Sequence, residues 1–157
     1  MALPRENVQD YPRPPALEPV EERLSVMLNG IEIAATTRGY RVLETHHAPT
    51  YYFPPEDVLS GVLRPSGGRT VCEWKGVAQY YDVIVEPREE LRAAWGYPAP
   101  GDDFAAIADH VAFYSGQMDA CHVGDTQVEP QPGGFYGGWV TPNLDGIVKG
   151  RAGTEGW

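Results

Sequence analysis

The sequence has little positive charge. Its 157 residues contain 12 lysines and arginines against 22 aspartates and glutamates, a formal net charge of −10. Only two of the 12 are lysines, Lys75 and Lys149. An acidic chain without a basic cluster repels phosphate backbones and anionic lipid surfaces. We therefore expect neither nucleic acid nor a membrane as a partner.

Long apolar runs and targeting signals are also missing. No run approaches the roughly 20 residues of a membrane-spanning helix. The first residues, "MALPRENVQDYPRPP", lack the basic and apolar regions of a secretion signal. These absences predict a cytoplasmic protein, in which the two cysteines, Cys72 and Cys121, are expected to stay reduced as thiols.

The motifs of several enzyme classes are absent too. The cysteines and the four histidines show no C-x-x-C or H-x-x-x-H spacing of the kind that a zinc site uses. There is no P-loop, no dinucleotide-binding glycine pattern and no G-x-S-x-G nucleophile motif. We therefore predict no metal site and no cofactor.

Turn-forming residues are abundant, with 18 glycines and 15 prolines, and this favours short strands over long helices. Alternating runs on both sides of Asn29-Gly30 predict a β-hairpin. "HVAFYSGQMDACHV" suggests another hairpin that turns at Ser115-Gly116, and Lys75-Gly76 suggests a bulge or tight turn within a long strand. "PPEDVLSGVL" predicts one short helix.

These patterns predict a mainly β protein with a compact antiparallel domain and one short helix. Residues 1–21 are Pro-rich and charged and are predicted to form an extended arm, followed by the core domain at residues 22–125. Residues 126–157 are predicted to form a Gly-rich aromatic arm. It should pack on the core or on a partner subunit, since its aromatic side chains carry too much apolar surface to remain in water: Phe135, Tyr136, Trp139 and Trp157.

Lys75 is the first candidate site residue. It lies between Trp74 and Gly76 in an apolar strand context, where a partly buried ammonium would be a candidate base, nucleophile or anion anchor. The alternative is a lysine whose stem packs on Trp74 and whose ammonium reaches solvent.

The end of the strand in "YRVLETHH" gives a second set of candidates. Glu44 and His47 place a carboxylate and an imidazole close in sequence, a pairing suited to proton transfer. Arg41 lies on the same strand and supplies a cation, although alternation directs it to the face opposite Glu44. A solvated turn with surface histidines is the alternative interpretation.

Aromatic side chains suited to walling a pocket occur in three segments. Adjacent tyrosines in "PTYYFPP" and "AQYYDV" direct one ring of each pair inward, which makes Tyr52 and Tyr80 candidates. Trp95 and Tyr97 in "AAWGYPAP" form a further aromatic pair. Such residues also occur as ordinary core.

Four motifs together carry a family resemblance: "RVLETHHAPTYYFPPEDV", "CEWKGVAQYY", "AAWGYPAP" and "HVAFY". Over about residues 22 to 125 the chain resembles the bacterial domain-of-unknown-function family 427, which is also labelled a nucleotidyltransferase domain. Its flanks resemble the extensions of longer members. The resemblance implies a β architecture of the Mss4-like or β-tent type, with Lys75 at the position of the second cysteine of a zinc knuckle.

The nucleotidyltransferase label would require a metal-binding carboxylate pair and a phosphate-cradling loop. The adjacent acidic pairs Glu56-Asp57 and Asp102-Asp103 are typical of a helix start and a turn instead. The motifs therefore do not support the label.

Three hypotheses remain open. In the first, Lys75 and Arg41 hold a small anionic metabolite, and aromatic side chains exclude water from the site. Glu44 transfers a proton, with His47 as its orienting partner. An enzyme of this kind would be a metal-independent isomerase, lyase or hydrolase. In the second, the protein is a non-catalytic binding or scaffolding module, whose arms clasp a partner or a second copy in a homodimer. In the third, Lys75 and Glu44 form a buried structural ion pair.

Overall fold

The computed structural model describes residues 3–72, 75–133, 135–150 and 153–154. The protein is mainly β, as predicted, with antiparallel sheets and short helical turns. The strands of the described residues are, in chain order, β1 (Glu6–Asn7), β2 (Ala16–Pro19), β3 (Leu24–Leu28), β4 (Ile31–Thr36), β5 (Tyr40–Leu43), β6 (Thr50–Tyr52), β7 (Leu63–Cys72), β8 (Gly76–Val85), β9 (Arg88–Gly96), β10 (Val111–Phe113), β11 (Ala120–Val123), β12 (Thr126–Gln127), β13 (Glu129–Pro130), β14 (Trp139–Val140) and β15 (Leu144–Asp145).

Helical structure in the described residues consists of short 3₁₀ turns, namely Val8–Asp10, Pro55–Asp57, Asp102–Ile107 and Ser115–Gln117. None of the described helices has the length and apolar character needed to cross a membrane.

Two four-stranded antiparallel sheets enclose the main core. One has the order β10-β9-β8-β7 and the other has the order β12-β11-β3-β4. Fully buried aliphatic and aromatic side chains meet between them, including Leu24, Val83 and Phe113. A third sheet, with the order β2-β5-β6, contributes Tyr52 to a separate aromatic cluster with Trp95 and Tyr97.

The hairpin at Asn29-Gly30 is confirmed. It joins β3 to β4, and both turn residues have positive φ, 52° and 77°, as a two-residue turn between twisted strands requires. Lys75-Gly76 likewise lies at a turn, because β7 ends at Cys72 and pairs with β8 from Gly76 onward. Trp74, on which the stem of Lys75 packs in the alternative interpretation, lies outside the described residues.

The short helix predicted in "PPEDVLSGVL" is confirmed as a 3₁₀ helix that covers only Pro55–Asp57; Val58 then bridges to Ala34, and Gly61 has a φ of +87°. One local prediction was wrong. The segment around Ser115-Gly116 is not a hairpin, since β10 pairs with β9 and β11 pairs with β3 in the other sheet. The turn-forming residues indicated that the chain reverses there. They could not show that the strands before and after the reversal belong to different sheets.

The N-terminal segment is packed rather than detached. Val8 has no exposed surface, and Tyr11 is buried with it in a third cluster that includes Leu43 and Val148. The parallel pair β1-β15 joins this segment to the other end of the described chain. Parts of both predicted arms therefore contribute to the same hydrophobic cluster.

Candidate functional site

A cavity of about 270 Å³ lies against the aromatic cluster, between the sheet that contains β5 and β6 and the one that contains β8 and β9. It brings together seven of the eight candidate residues: Glu44, His47, Tyr52, Lys75, Tyr80, Trp95 and Tyr97. Residues from the C-terminal segment complete its wall, among them Gln131, Tyr136 and Lys149.

Strand alternation explains why the aromatic side chains converge. Tyr80 of β8 is the direct cross-strand partner of Trp95 of β9, so both side chains project from the same face of the sheet. Beyond Tyr80 the alternation of β8 directs Tyr81 and Val83 to the opposite face of the sheet, where both pack against the main core. One strand thus contributes one face to the cavity and the other face to the core.

Three tyrosine hydroxyls of the cavity, those of Tyr52, Tyr97 and Tyr114, keep their protons. Burial raises the pKa of Tyr52 and of Tyr97 well above the ordinary value, and it raises the pKa of Tyr114 to about 12. These groups can therefore donate hydrogen bonds at neutral pH but cannot serve there as phenolate bases.

Arg41 lies away from the cavity, which corrects its placement beside Lys75. It pairs across the strands with Tyr51, whereas its neighbour Val42 pairs with Thr50 and lines the cavity. Its guanidinium donates hydrogen bonds to Glu6 (2.8 and 3.0 Å) and to Glu18 (2.6 Å) on the opposite face. The alternation of a β-strand gives this result directly.

Lys75 is buried, with 9% of its surface exposed. Its ammonium lies 5.7 Å from the centre of the Tyr97 ring and 5.9 Å from that of Phe104, within range of cation–π attraction. Glu44 forms an ion pair with Arg13 (3.9 Å), and its carboxylate lies 4.0 Å from His47 Nε2. Among the described residues, no carboxylate lies within 4.0 Å of the Lys75 ammonium, so the structure does not contain the Lys75–Glu44 ion pair.

Gln131 determines the protonation pattern of His47. Its side-chain oxygen accepts from the backbone N–H of Ala48 (3.2 Å), and its side-chain nitrogen donates to the carbonyl of Lys149 (3.0 Å). With the amide oriented in this way, the same nitrogen donates to His47 Nδ1 at 3.1 Å. Nδ1 is therefore an acceptor, and the imidazole proton lies on Nε2, the atom 4.0 Å from Glu44 Oε2.

His47 is neutral at physiological pH. Burial, together with the positive charges of Lys149, Arg13 and Lys75, lowers its pKa from the ordinary 6.5 to about 4. The hydrogen bond from Gln131 acts in the same direction, because it needs a free lone pair on Nδ1. His47 therefore presents an N–H donor next to Glu44 rather than a positive charge.

The low pKa of His47 makes a pH-dependent contribution to stability. Because the unfolded chain binds a proton at His47 below pH 6.5 and the folded chain does not until about pH 4, this contribution is complete above pH 6.5 and is lost as the pH falls toward 4. Between pH 7.5 and pH 4.5 we expect wild type to lose about 2.5 kcal/mol more unfolding free energy than His47→Gln. Urea unfolding of both proteins across this range measures the difference, and parallel curves would contradict the prediction.

Lys149 and the glycines before β14 bring the C-terminal segment against the cavity. The Lys149 ammonium lies 5.3 Å from the centre of the Tyr136 ring, which contacts the His47 ring edge-on at 5.1 Å between centres. Gly137 and Gly138 permit this approach: a Cβ at Gly137 would lie 1.9 Å from the Trp95 ring. Only glycine can occupy that position without displacing the segment.

Three residues of this site were missed in the sequence: Gln131, Tyr136 and Lys149. One feature of the sequence could have indicated Lys149: the chain has only two lysines, and the other, Lys75, was already a candidate. Both line the same cavity. Gln131 had none, because a buried glutamine that bridges two loops resembles any other glutamine in the sequence. Among the described residues, no three His, Cys, Asp or Glu side chains group as metal ligands would.

Comparison with protein families gives one match. A family model described as a domain of unknown function, DUF427, matches residues 16–124 of the chain. No curated protein matches the sequence. The match includes most of the cavity, from Glu44 to Tyr114, but ends before Gln131 and Lys149.

Proposed function

Because the chain belongs to the family DUF427, whose description assigns no activity, we propose a function from the cavity itself: it binds a small anionic metabolite and acts on it as a metal-independent acid–base enzyme. The substrate would be anchored by ammonium groups, and Glu44 would transfer the proton.

The observation that carries the proposal is the position of the two lysines. In a chain with net charge −10, Lys75 and Lys149 both line one cavity, with Glu44 as its only carboxylate among the described lining residues. Positive charge in a partly desolvated cavity attracts anions much more strongly than it does on an open surface. The same charges help keep His47 unprotonated, which supports a positive potential in the cavity.

The Glu44–His47 pair supports proton transfer. With its proton on Nε2 and its ring held by Gln131, the imidazole can orient the Glu44 carboxylate or donate to an oxygen of the substrate. Glu44 can then take a proton from a carbon next to the anchored anionic group, and the ammonium of Lys75 can stabilise the negative charge that develops. Isomerisation and elimination need these groups, and hydrolysis could use Glu44 to activate a water.

The remaining expectations form part of the same proposal. We propose a β-tent architecture of the Mss4-like type and a cytoplasmic location, on the basis of the family resemblance and the composition. The nucleotidyltransferase label is not part of the proposal. Glu56 and Asp57 belong to a 3₁₀ turn, and Asp57 there accepts hydrogen bonds from Thr36 and Arg38.

Ligand binding by lysine variants tests the proposal. We expect calorimetric titration with a panel of small carboxylates and phosphate esters to identify a ligand of wild type, and Lys75→Met to weaken its binding at least about tenfold, a loss of about 1.4 kcal/mol. Arg69→Gln removes one positive charge from the exposed side of β7 and should bind as wild type does. Equal binding by Lys75→Met and wild type, or no ligand in the panel, would contradict the proposal.

Two further readouts separate the alternatives. Lys75→Met should keep or raise the unfolding free energy, because no described carboxylate lies within 4.0 Å of the ammonium that the substitution removes. If Lys75 were instead part of a structural ion pair, the variant would be about 3–5 kcal/mol less stable. Glu44→Gln should bind the ligand without turning it over. A scaffolding module would instead retain its function in both variants and lose it on deletion of the segment from Gln131 onward.

A further inference from the structure

A second cavity of about 440 Å³ lies beside the first. The two share four lining residues: Thr70, Tyr80, Tyr114 and Phe135. The second extends from these toward Leu91, Arg92 and Gln117, on the outer side of β9 and the turn that follows β10. The two cavities are therefore neighbours along these shared residues.

Arg92 supplies a cation to the second cavity. Its guanidinium carbon lies 4.3 Å from the centre of the Tyr80 ring, a stacking distance. A guanidinium stacked in this way keeps its N–H edge free for bidentate hydrogen bonds to a carboxylate or a phosphate. Among the described residues, no carboxylate forms an ion pair with it.

The backbone holds Arg92 in this position. Arg92 has a φ of +49°, an uncommon conformation for a residue with a side chain. Its N–H donates to Asp82 Oδ1 at 2.8 Å, and Asp82 is itself buried opposite residues 91–93, which bulge out of the pairing of β9 with β8. The hydrogen bond from Arg92 to Asp82 therefore anchors the bulge that places Arg92 over Tyr80.

Apolar surface lines the route between the cations. Leu91 and Phe135 are 63% and 61% exposed, an unusual state for large apolar side chains next to a cavity. Phe135 is held at the shared wall by its carbonyl, which accepts from the Tyr114 hydroxyl at 2.9 Å. The side-chain amide of Gln117 donates a hydrogen bond to the backbone carbonyl oxygen of Leu91 at 3.0 Å.

Resting on the proposed function, we propose that the two cavities form one site for an elongated molecule with an anionic group at each end. One group binds at Lys75 and Lys149. The second, a carboxylate or a phosphate, binds at Arg92, and the short apolar or aromatic body between them lies along Tyr80, Leu91 and Phe135. The natural substrate is accordingly a dianion of defined length rather than a small monoanion.

Calorimetric titration with matched probes tests this. Succinate, adipate and suberate are compared with butyrate, hexanoate and octanoate, and ω-phosphonocarboxylates of the same lengths identify which anionic group Arg92 prefers. We expect the best dianion to bind at least about tenfold more tightly than its monoanion, with an optimum at one length, because two fixed anchors favour one separation. In Arg92→Gln that advantage should disappear while monoanion binding is unchanged.

Each outcome has a separate meaning. If Arg92→Gln keeps the dianion advantage, or if wild type shows no advantage at any length, the two-ended site is wrong, and binding that still depends on Lys75 leaves the proposed function intact. If no probe binds to wild type, both proposals are overturned. The Arg69→Gln control should behave as wild type throughout, since it removes an arginine outside both cavities.

Discussion

Arg41→Met should lower the free energy of unfolding by about 2–3 kcal/mol, because its ion pairs are partly buried and their contribution lies between the ~0–1 kcal/mol of an exposed pair and the ~3–5 kcal/mol of a buried one. The Arg41 side chain is 16% exposed and lies between Glu6 and Glu18, whose carboxylates accept its hydrogen bonds. Without it, two neighbouring carboxylates would lack their cation in a partly desolvated position, and their repulsion would add to the loss. Urea unfolding at pH 7 measures the change.

The matched control is Arg5→Met. Arg5 also pairs with a carboxylate, that of Asp145, but the two side chains are 66% and 49% exposed. An exposed pair of this kind contributes little to stability because water and salt screen it, so Arg5→Met should unfold much as wild type does. Equal losses in the two variants would show that burial does not distinguish the two pairs, and the structural role assigned to Arg41 would then be wrong.

Gly138→Ala should cost about 2–3 kcal/mol of unfolding free energy, within the range for overpacked sites. A Cβ at this position would lie 2.3 Å from the side-chain oxygen of Gln131 and 2.5 Å from the backbone carbonyl oxygen of Ala48. The backbone of Ala48 cannot rotate away, so the C-terminal segment must shift. That shift would break the hydrogen bonds by which Gln131 holds His47 and the carbonyl of Lys149.

Gly138→Ala should therefore change the site as well as the stability. When Gln131 and Lys149 are displaced, water can reach the imidazole of His47. We therefore expect the pKa of His47, followed by NMR of its ring proton, to move from about 4 back toward 6.5. Gly67→Ala is the control, because nothing lies within 4 Å of a Cβ there. A Gly138→Ala protein with wild-type stability and an unchanged His47 titration would refute the role given to this contact.

Local patterns in the sequence predicted the parts of the fold that depend on neighbouring residues. Asn29-Gly30 predicts its hairpin because the conformation of two turn residues decides it. Strand alternation likewise indicates that Arg41 and Glu44 face opposite ways. The hypothesis that placed Arg41 and Glu44 in one site did not follow this alternation, and in the structure Glu44 lines the cavity whereas Arg41 does not.

The missed features depend on pairings between distant segments. Ser115-Gly116 marks a reversal, but nothing local tells that β10 and β11 join different sheets. Lys149 reaches the cavity only because the C-terminal segment returns across the core, and Gln131 acquires its role from contacts with Ala48 and Lys149 that no spacing in the sequence encodes. Sequence patterns predict which face a side chain takes more readily than which segment lies opposite it.

The pairing of β1 with β15 has a consequence for the order of folding. Arg5, which directly precedes β1, and Asp145 of β15 are 140 positions apart, so their contact requires closure of nearly the whole chain. Contacts between distant positions are entropically costly and tend to form slowly. The hairpins β3-β4 and β7-β8 connect near neighbours and can form early. The last wall of the cavity should thus form near the end of folding, and a newly made chain would gain affinity for the proposed anionic ligand only then.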